Sequence, residues 1–183
     1  SVRRAYEKDK AEHELFRETC RRFIEKEVTP FHAQWEKDGQ VPRELWLKAG
    51  EAGLLLPTTS DLYGGSGGDF RFGAVLTEEV GYSSASGLGI PLHNDIIAPY
   101  IENYGSEEVK QKWLPRMARG ESIGAICMTE PGTGSDLQGI MTTAKKDGDD
   151  YVINGQKTFI TNGQNADILI VIAKTDPSKG AKG

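Results

Sequence analysis

Ala125-Ile-Cys-Met-Thr-Glu-Pro-Gly-Thr-Gly-Ser-Asp-Leu-Gln-Gly139 marks the point at which the chain changes character. An apolar run, 123–128, leads into Thr129-Glu130 and then a turn with three glycines, a proline and two hydroxyls within nine residues. Gly132, Gly134 and Gly139 lack the Cβ that would hold a flat or anionic group away, and consecutive loop N–H groups can form an anion-binding nest. An ordinary connection between strands is the alternative reading of such a turn. The chain on either side decides between them.

Upstream, apolar residues recur with the helical period. Over 12–28, Leu15, Phe16, Cys20, Phe23 and Ile24 share one face, and Glu14, Arg17, Glu18, Arg21, Arg22 and Glu25 take the other. Thr29-Pro30 predicts a break, because the residue before proline avoids the α region. A short turn over 31–38 ends at Gly39. Val41-Pro42 opens a helix with Leu45, Trp46 and Ala49 inside and Gly53 as its C-cap. Tyr63-Gly-Gly-Ser-Gly-Gly-Asp69 is the most glycine-dense segment, but it lacks the Lys-Ser/Thr of a P-loop and the spacing of a dinucleotide fingerprint. It reads as a structural loop. Phe72, Val75, Leu76 and Val80 give a further helix, closed by the small residues 83–89. A helix over 90–104 follows, in which His93 reads as a hydrogen-bonded structural histidine. Gly105-Ser106 caps it and starts the next helix, whose Glu107 and Glu108 suit a positive first turn. That helix is expected to face Val109, Trp113 and Leu114 inward as far as Pro115.

Downstream, the period becomes 2. Strands are predicted over 123–128, 142–146, 151–154, 157–161 and 168–174, with Asp147-Gly148, Asn154-Gly155 and Asn162-Gly163 as hairpin signals. Helices followed by antiparallel strands specify an α+β chain: an N-terminal α-helical bundle over 1–121, then an incomplete antiparallel β-domain over 122–183. The run 168–172 is apolar at every position and needs a pairing strand. The β part is expected to continue beyond Gly183.

Composition bounds the function. With 37% apolar and 27% charged residues the chain is globular. Its net charge of −5 and the absence of a long basic cluster argue against nucleic acid as a partner. The longest apolar runs fall far short of the roughly 20 residues that span a bilayer, and Ser1-Val-Arg-Arg-Ala-Tyr-Glu7 has no apolar signal core. Cys20 and Cys127 form no C-x-x-C and read as buried free thiols. These features predict a cytoplasmic protein with no membrane span.

The run Cys127-Met-Thr-Glu-Pro-Gly-Thr-Gly-Ser-Asp-Leu-Gln-Gly139, with Ile153-Asn-Gly-Gln-Lys-Thr-Phe-Ile-Thr-Asn-Gly163 after it, resembles the flavin-binding signature of acyl-CoA dehydrogenases. Trp35-Glu-Lys-Asp-Gly39, Tyr63-Gly-Gly65 and Tyr104-Gly-Ser-Glu-Glu108 are similar to that family's helical domain, in detail to its long-chain branch. Two such motifs in this order behind a helical domain are specific, where one glycine turn is not.

The resemblance implies FAD as cofactor. Ile126, Met128 and Thr129 would line the flavin ring, Thr129 offering a hydroxyl to its polar edge. Gly134 and Ser135 would contact the pyrophosphate, with Ser135 also touching the acyl-CoA substrate. Phe159, Ile160 and Thr161 would form the second flavin segment, the Thr161 hydroxyl reaching the hydride-accepting nitrogen. Thr133, Ile126 and Phe159 depart from the commoner alanine, aromatic and tryptophan, and the last two alter ring contact. The implied activity is α,β-dehydrogenation of fatty acyl-CoA in β-oxidation, with electrons passing to an electron-transfer flavoprotein, in a homotetramer. In a eukaryote it would work in the mitochondrial matrix. No catalytic residue is assigned within the chain: Glu130 and Asp136 read as structural, and the base is expected beyond Gly183. The 183 residues alone are therefore expected neither to turn over substrate nor to hold FAD tightly. The small-residue run 83–89 and the segment Pro91 to Asp95 are candidate walls of the acyl cavity. A non-catalytic interaction module on the same scaffold, an acyl-CoA oxidase and a related flavin monooxygenase are the other functions this pattern allows.

Overall fold

The computed structural model describes the chain from residue 2 onward, with side chains from residue 10. Ser1, the first residue of the stretch read above for a leader, lies outside the described residues. Two units divide between Ile123 and Gly124.

The first unit is helical: α1 (Val2–Phe23), α2 (His32–Asp38), α3 (Arg43–Glu51), α4 (Phe70–Ser83), α5 (Ile90–Leu92), α6 (Ala98–Tyr104) and α7 (Glu107–Ala118). Cys20, Ile24 and Val28, four apart, form the buried stripe of the first helix, while Leu15, expected beside them, is exposed. Burial pushes the Cys20 thiol up to about 12, as suits an inert core cysteine. The last turn of this helix, Ile24–Val28, is widened to a π-helix, and the Thr29 N–H donates to Ile24 O at 2.8 Å. Pro30 follows directly. A second π segment, His93–Ile97, joins α5 to α6 just ahead of Pro99. In both places the wider turn precedes a proline, whose ring would clash with the carbonyl four residues back in a regular α-helix.

Pro115 behaves differently. It sits inside α7, which continues to Ala118 instead of ending there. Leu114 and Met117 on either side are fully buried. Burying two such side chains contributes about 3–6 kcal/mol, which offsets the roughly 3 kcal/mol a mid-helix proline costs.

Polar contacts place the helices on one another. Glu79 of α4 is buried and paired with Arg17 at 2.9 Å and Arg21 at 3.0 Å, both of α1. The guanidinium of Arg21, then that of Arg17, holds its carboxyl below the usual range. The edge of Phe16 meets Phe72 at 5.3 Å. His93 is fully buried, as the sequence suggests: its Nε2 donates to Met117 O at 3.3 Å and its ring meets Trp46 of α3 at 5.1 Å. Burial lowers its pKa to about 4, so the imidazole is neutral at physiological pH. Gly120 passes so close to the Trp46 carbonyl that a Cβ there would collide with it.

The glycine-dense loop is structural. The N–H groups of Gly65, Ser66, Gly67 and Gly68 donate inward to the carbonyls of Ser60, Leu56, Thr59 and Pro57, so they are spent within the fold. The path beneath it depends on Asn94. This fully buried side chain accepts from Leu56 N–H at 2.9 Å and donates to Leu54 O at 2.8 Å, bracketing Leu56 in a left-handed conformation (φ 52°). Such a φ is strained for leucine and persists only where the surroundings dictate it.

The second unit has two two-stranded sheets. β1 (Gly124–Cys127) pairs with β4 (Ile168–Val171) in parallel, from Gly124 opposite Ile168 to Cys127 opposite Val171. β2 (Thr143–Asp147) and β3 (Asp150–Asn154) form an antiparallel hairpin. A bridge between Thr143 and Lys174 carries the line of β4 onto β2. The expected antiparallel arrangement thus holds for the hairpin and not for β1 and β4. Residues 128–167 intervene between those two strands and bring β4 back in the direction of β1.

Two further expectations are corrected. Residues 157–161 form no strand: Phe159 has φ 56°, incompatible with a pleated ladder. Of the three hairpin signals only Asp147-Gly148 makes one, with Gly148 at φ 60° in a two-residue loop. Asn154-Gly155 continues from β3 into irregular chain, where Gly155 packs directly on Thr142. Asn162-Gly163 makes a local turn, Gly163 N–H donating to Ile160 O at 2.9 Å.

Replacing Asn94 by alanine strands two buried backbone groups, and the expected loss is about 2–4 kcal/mol in chemical denaturation. Asn103→Ala, which removes an exposed hydrogen bond to Pro99 O, is expected to change stability by less than about 0.5 kcal/mol.

Candidate flavin site

The sequence-predicted residues fall on three pieces of the second unit. Ile126 is buried in β1, and Met128 and Thr129 are half-buried just past its end. Gly134 and Ser135 are exposed on the loop that follows. Phe159 is 91% exposed, Ile160 half-buried and Thr161 exposed, on irregular chain between β3 and β4. The first and third pieces are brought together, because the Thr158 N–H donates to Thr129 O at 2.9 Å. Gly134 and Ser135 make no hydrogen bond to the other six among the described residues.

The loop is shaped by a tight reciprocal turn. Glu130 N–H donates to Thr133 O at 2.9 Å and Thr133 N–H to Glu130 O at 3.1 Å. Past this turn, the N–H groups of Gly134 and Ser135 donate to no described residue, and that of Gly132 at its tip is equally free. A Cβ built on Gly132 or Gly134 would meet nothing within 4 Å, so this backbone is open to approach. These are the features of an anion-accepting loop.

Beneath the loop lies a residue whose reach the sequence did not reveal. The Glu130 side chain is buried and accepts from Met141 N–H at 2.6 Å, from Thr142 N–H at 2.9 Å and from Lys157 Nζ at 2.9 Å. Burial alone would raise its pKa, but the hydrogen bonds from Thr142, Met141 and Lys157 outweigh that and bring it to about 2. Glu130 is therefore ionised, with both oxygens engaged. Lys157 also donates to Met128 O at 2.9 Å. As the sole cation of the second motif, it was the one available sign in the sequence of a partner for Glu130.

Two family models match along the chain: "Acyl-CoA dehydrogenase, N-terminal domain" over residues 10–121 and "Acyl-CoA dehydrogenase, middle domain" over 125–183. The chain belongs to the acyl-CoA dehydrogenase family. Within it, the chain is 54% identical over 166 residues to the long-chain specific mitochondrial acyl-CoA dehydrogenase of Sus scrofa, an alignment covering 91% of this chain and 39% of that protein. It is similar in structure to an acyl-CoA dehydrogenase from Geobacillus kaustophilus, with a TM-score of 0.86 and 56% identity, covering 91% of this chain and 44% of that one. A glutaryl-CoA dehydrogenase from Mycobacterium smegmatis in complex with FADH2 matches with a TM-score of 0.82 at 32% identity, over 90% of this chain and 43% of that one. The chain thus spans less than half the length of these acyl-CoA dehydrogenases. Among its described residues no helix is long and apolar enough to cross a membrane, and no cluster of three or more His, Cys, Asp or Glu could hold a metal ion.

The low pKa of Glu130 sets a pH dependence. Its folded-state value, about 2, lies below the ordinary 4.5, so its contribution to stability is present above about pH 4.5 and is lost as pH falls through 2. Denaturation of wild type and Glu130→Gln across pH 7 to 2 is expected to show a stability gap that is flat above about pH 5 and closes in acid. A gap unchanged down to pH 2 would refute the assignment.

Proposed function

We propose that this chain carries the flavin seat of an enzyme that dehydrogenates fatty acyl-CoA at the α and β carbons, with FAD as cofactor. The observation that supports this most directly is the joining of the two motif segments by the Thr158–Thr129 hydrogen bond, beside a loop with unengaged N–H groups.

The residues fit the cofactor. Ile126 and Met128 offer apolar contact for a ring system, and the Thr129 and Thr161 hydroxyls are donors for its polar edge. Phe159, almost wholly exposed, presents a bare aromatic face. Gly134 and Ser135 supply N–H groups and a hydroxyl suited to phosphate oxygens, and Ser135 serves the acyl-CoA as well. Bound flavin would supply the hydride acceptor for the β-hydrogen. No carboxylate in the site is assigned as the base that removes the α-proton: Glu130 is held ionised by three donors and sealed from solvent. That role is assigned to the part of the protein beyond Gly183.

The likeness to the long-chain enzyme supports a long acyl substrate, an electron-transfer flavoprotein as electron acceptor and assembly as a tetramer. It also supports a mitochondrial matrix location in a eukaryote and a cytoplasmic one in a bacterium. The small-residue segment 83–89 is proposed as part of the acyl cavity wall. It leaves α4 through Ser84, which takes the left-handed conformation (φ 56°), and the Gly87 N–H donates to His32 Nε2 at 3.1 Å.

The complete protein is expected to purify yellow, and anaerobic addition of a long-chain acyl-CoA is expected to bleach the flavin band. A colourless protein, or a band indifferent to acyl-CoA, would overturn the proposal. Fast reoxidation of the bleached enzyme by air instead of by electron-transfer flavoprotein would identify an oxidase. Thr161→Val is expected to slow flavin reduction about tenfold or more while leaving acyl-CoA binding in place, the size of effect that follows from losing one donor at a reacting centre. Gly87→Leu is expected to shift the rate profile toward shorter acyl chains. An unchanged profile would remove the 83–89 segment from the cavity wall.

A further inference from the structure

Residues 155–167 contain no strand or α-helix, yet they carry Phe159, Ile160 and Thr161. What holds them is a clamp at each end. At one end, Lys157 Nζ donates to Met128 O and to Glu130 Oε1, both at 2.9 Å, next to the Thr158 N–H bond to Thr129 O. At the other, Asn162 Nδ2 donates to Gly124 O at 3.3 Å. Gly124 opens β1, and Met128 follows its last residue, so the span 158–162 is tied at its two ends to the two ends of one strand. Both clamps adjoin residues in the left-handed region, Phe159 at φ 56° and Asn162 itself at φ 65°.

Lys157 does more here than pair a charge. Its ammonium has three donors, and two are used on the carbonyl and carboxylate of the first motif. Through Glu130 Oε1 and Oε2 it is linked to the N–H groups of Thr142 and Met141 as well. One buried ion pair thus joins three separate chain segments, 128–130, 141–142 and 157–158.

We propose that Lys157 is a positioning residue for the flavin: it touches no part of the cofactor, and it sets the placement of Phe159, Ile160 and Thr161 against Ile126, Met128 and Thr129. The proposal rests on the flavin reading above and extends it to a residue outside the contact set. The brace is made entirely of the protein's own groups. Substitution of Lys157 therefore acts on flavin affinity and on flavin electronics together, because the Thr161 hydroxyl moves with the segment. Arginine at this position keeps the charge for Glu130, but its planar fork does not reproduce a point donor shared between a carbonyl and a carboxylate.

The test uses the complete protein, stripped of flavin and titrated with FAD. Lys157→Met is expected to weaken FAD binding about 10- to 100-fold, the scale seen when a partner that orients a binding group is lost, with an altered visible band and a displaced midpoint potential. Lys157→Arg is expected to fold and to show a smaller change in the same direction. Leu76→Ala, a cavity in the helical unit, serves as a control for lowered stability, with unchanged affinity, spectrum and potential. A folded Lys157 variant with wild-type affinity and spectrum would overturn the proposal. Amide exchange on the wild-type protein decides the matter even if both variants fail to fold. The Thr158 N–H is expected to be protected without FAD; protection that arises only on adding FAD would overturn a preformed brace. Wild-type protein that takes up no FAD would instead overturn the flavin reading, while a protected Thr158 amide would still support the brace.

Discussion

The second unit depends on a carboxylate that cannot leave its place. Glu130 sits where β1 has ended and the glycine turn begins, and its two oxygens take two backbone N–H groups from residues 141 and 142 and the ammonium of Lys157. An isolated buried carboxylate would be costly, and an ion pair of this kind seldom adds much net stability, since desolvation cancels most of the attraction. What it adds is uniqueness. An arrangement that separates the three segments leaves a buried charge without its partners. The glycine turn above it can therefore be open and short of contacts without being undefined.

The helical unit solves a similar problem with a neutral side chain. The chain between α3 and α4 has to pass under a glycine-rich loop with Leu54, Leu55 and Leu56 all buried. Apolar burial alone is non-directional and would tolerate a slipped path. Asn94 removes that freedom by matching one acceptor and one donor to Leu56 and Leu54, at the price of a left-handed leucine. The loop then uses its own N–H groups on the carbonyls of that segment. This is why so dense a run of glycines is a structural feature and not a ligand cradle.

How much of this is legible in the sequence follows from the range of the interaction responsible. The helical stripes of α1, α3 and α4 are local patterns, and the spacing of Cys20, Ile24 and Val28 or of Leu45, Trp46 and Ala49 displays them directly. The hairpin at Asp147-Gly148 is equally local. Residues 157–161 mislead for the opposite reason: Lys-Thr-Phe-Ile-Thr has the composition of a strand, and nothing local announces that Phe159 takes φ 56°. The parallel pairing of β1 with β4 is invisible as well, since it is decided by how 40 intervening residues, 128–167, turn the chain round. The two motifs shared with the acyl-CoA dehydrogenase family are legible as patterns. The partnership of Glu130 with Lys157, 27 residues apart, was not.

The balance of forces in 155–167 explains why these clamps govern position more than stability. Two non-glycine residues in the left-handed region cost about 1–3 kcal/mol each. The Lys157–Glu130 pair adds little net stability once desolvation is counted, and neutral bonds such as those of Thr158 and Asn162 contribute about 1 kcal/mol each. The bonds to β1 and to the turn after it therefore fix where the two strained residues sit. Apolar packing offers little in reserve, because Phe159 at its centre is 91% exposed. The face that the second motif presents is therefore set by its hydrogen bonds to β1 and the turn after it, with Phe159 held at φ 56° between them.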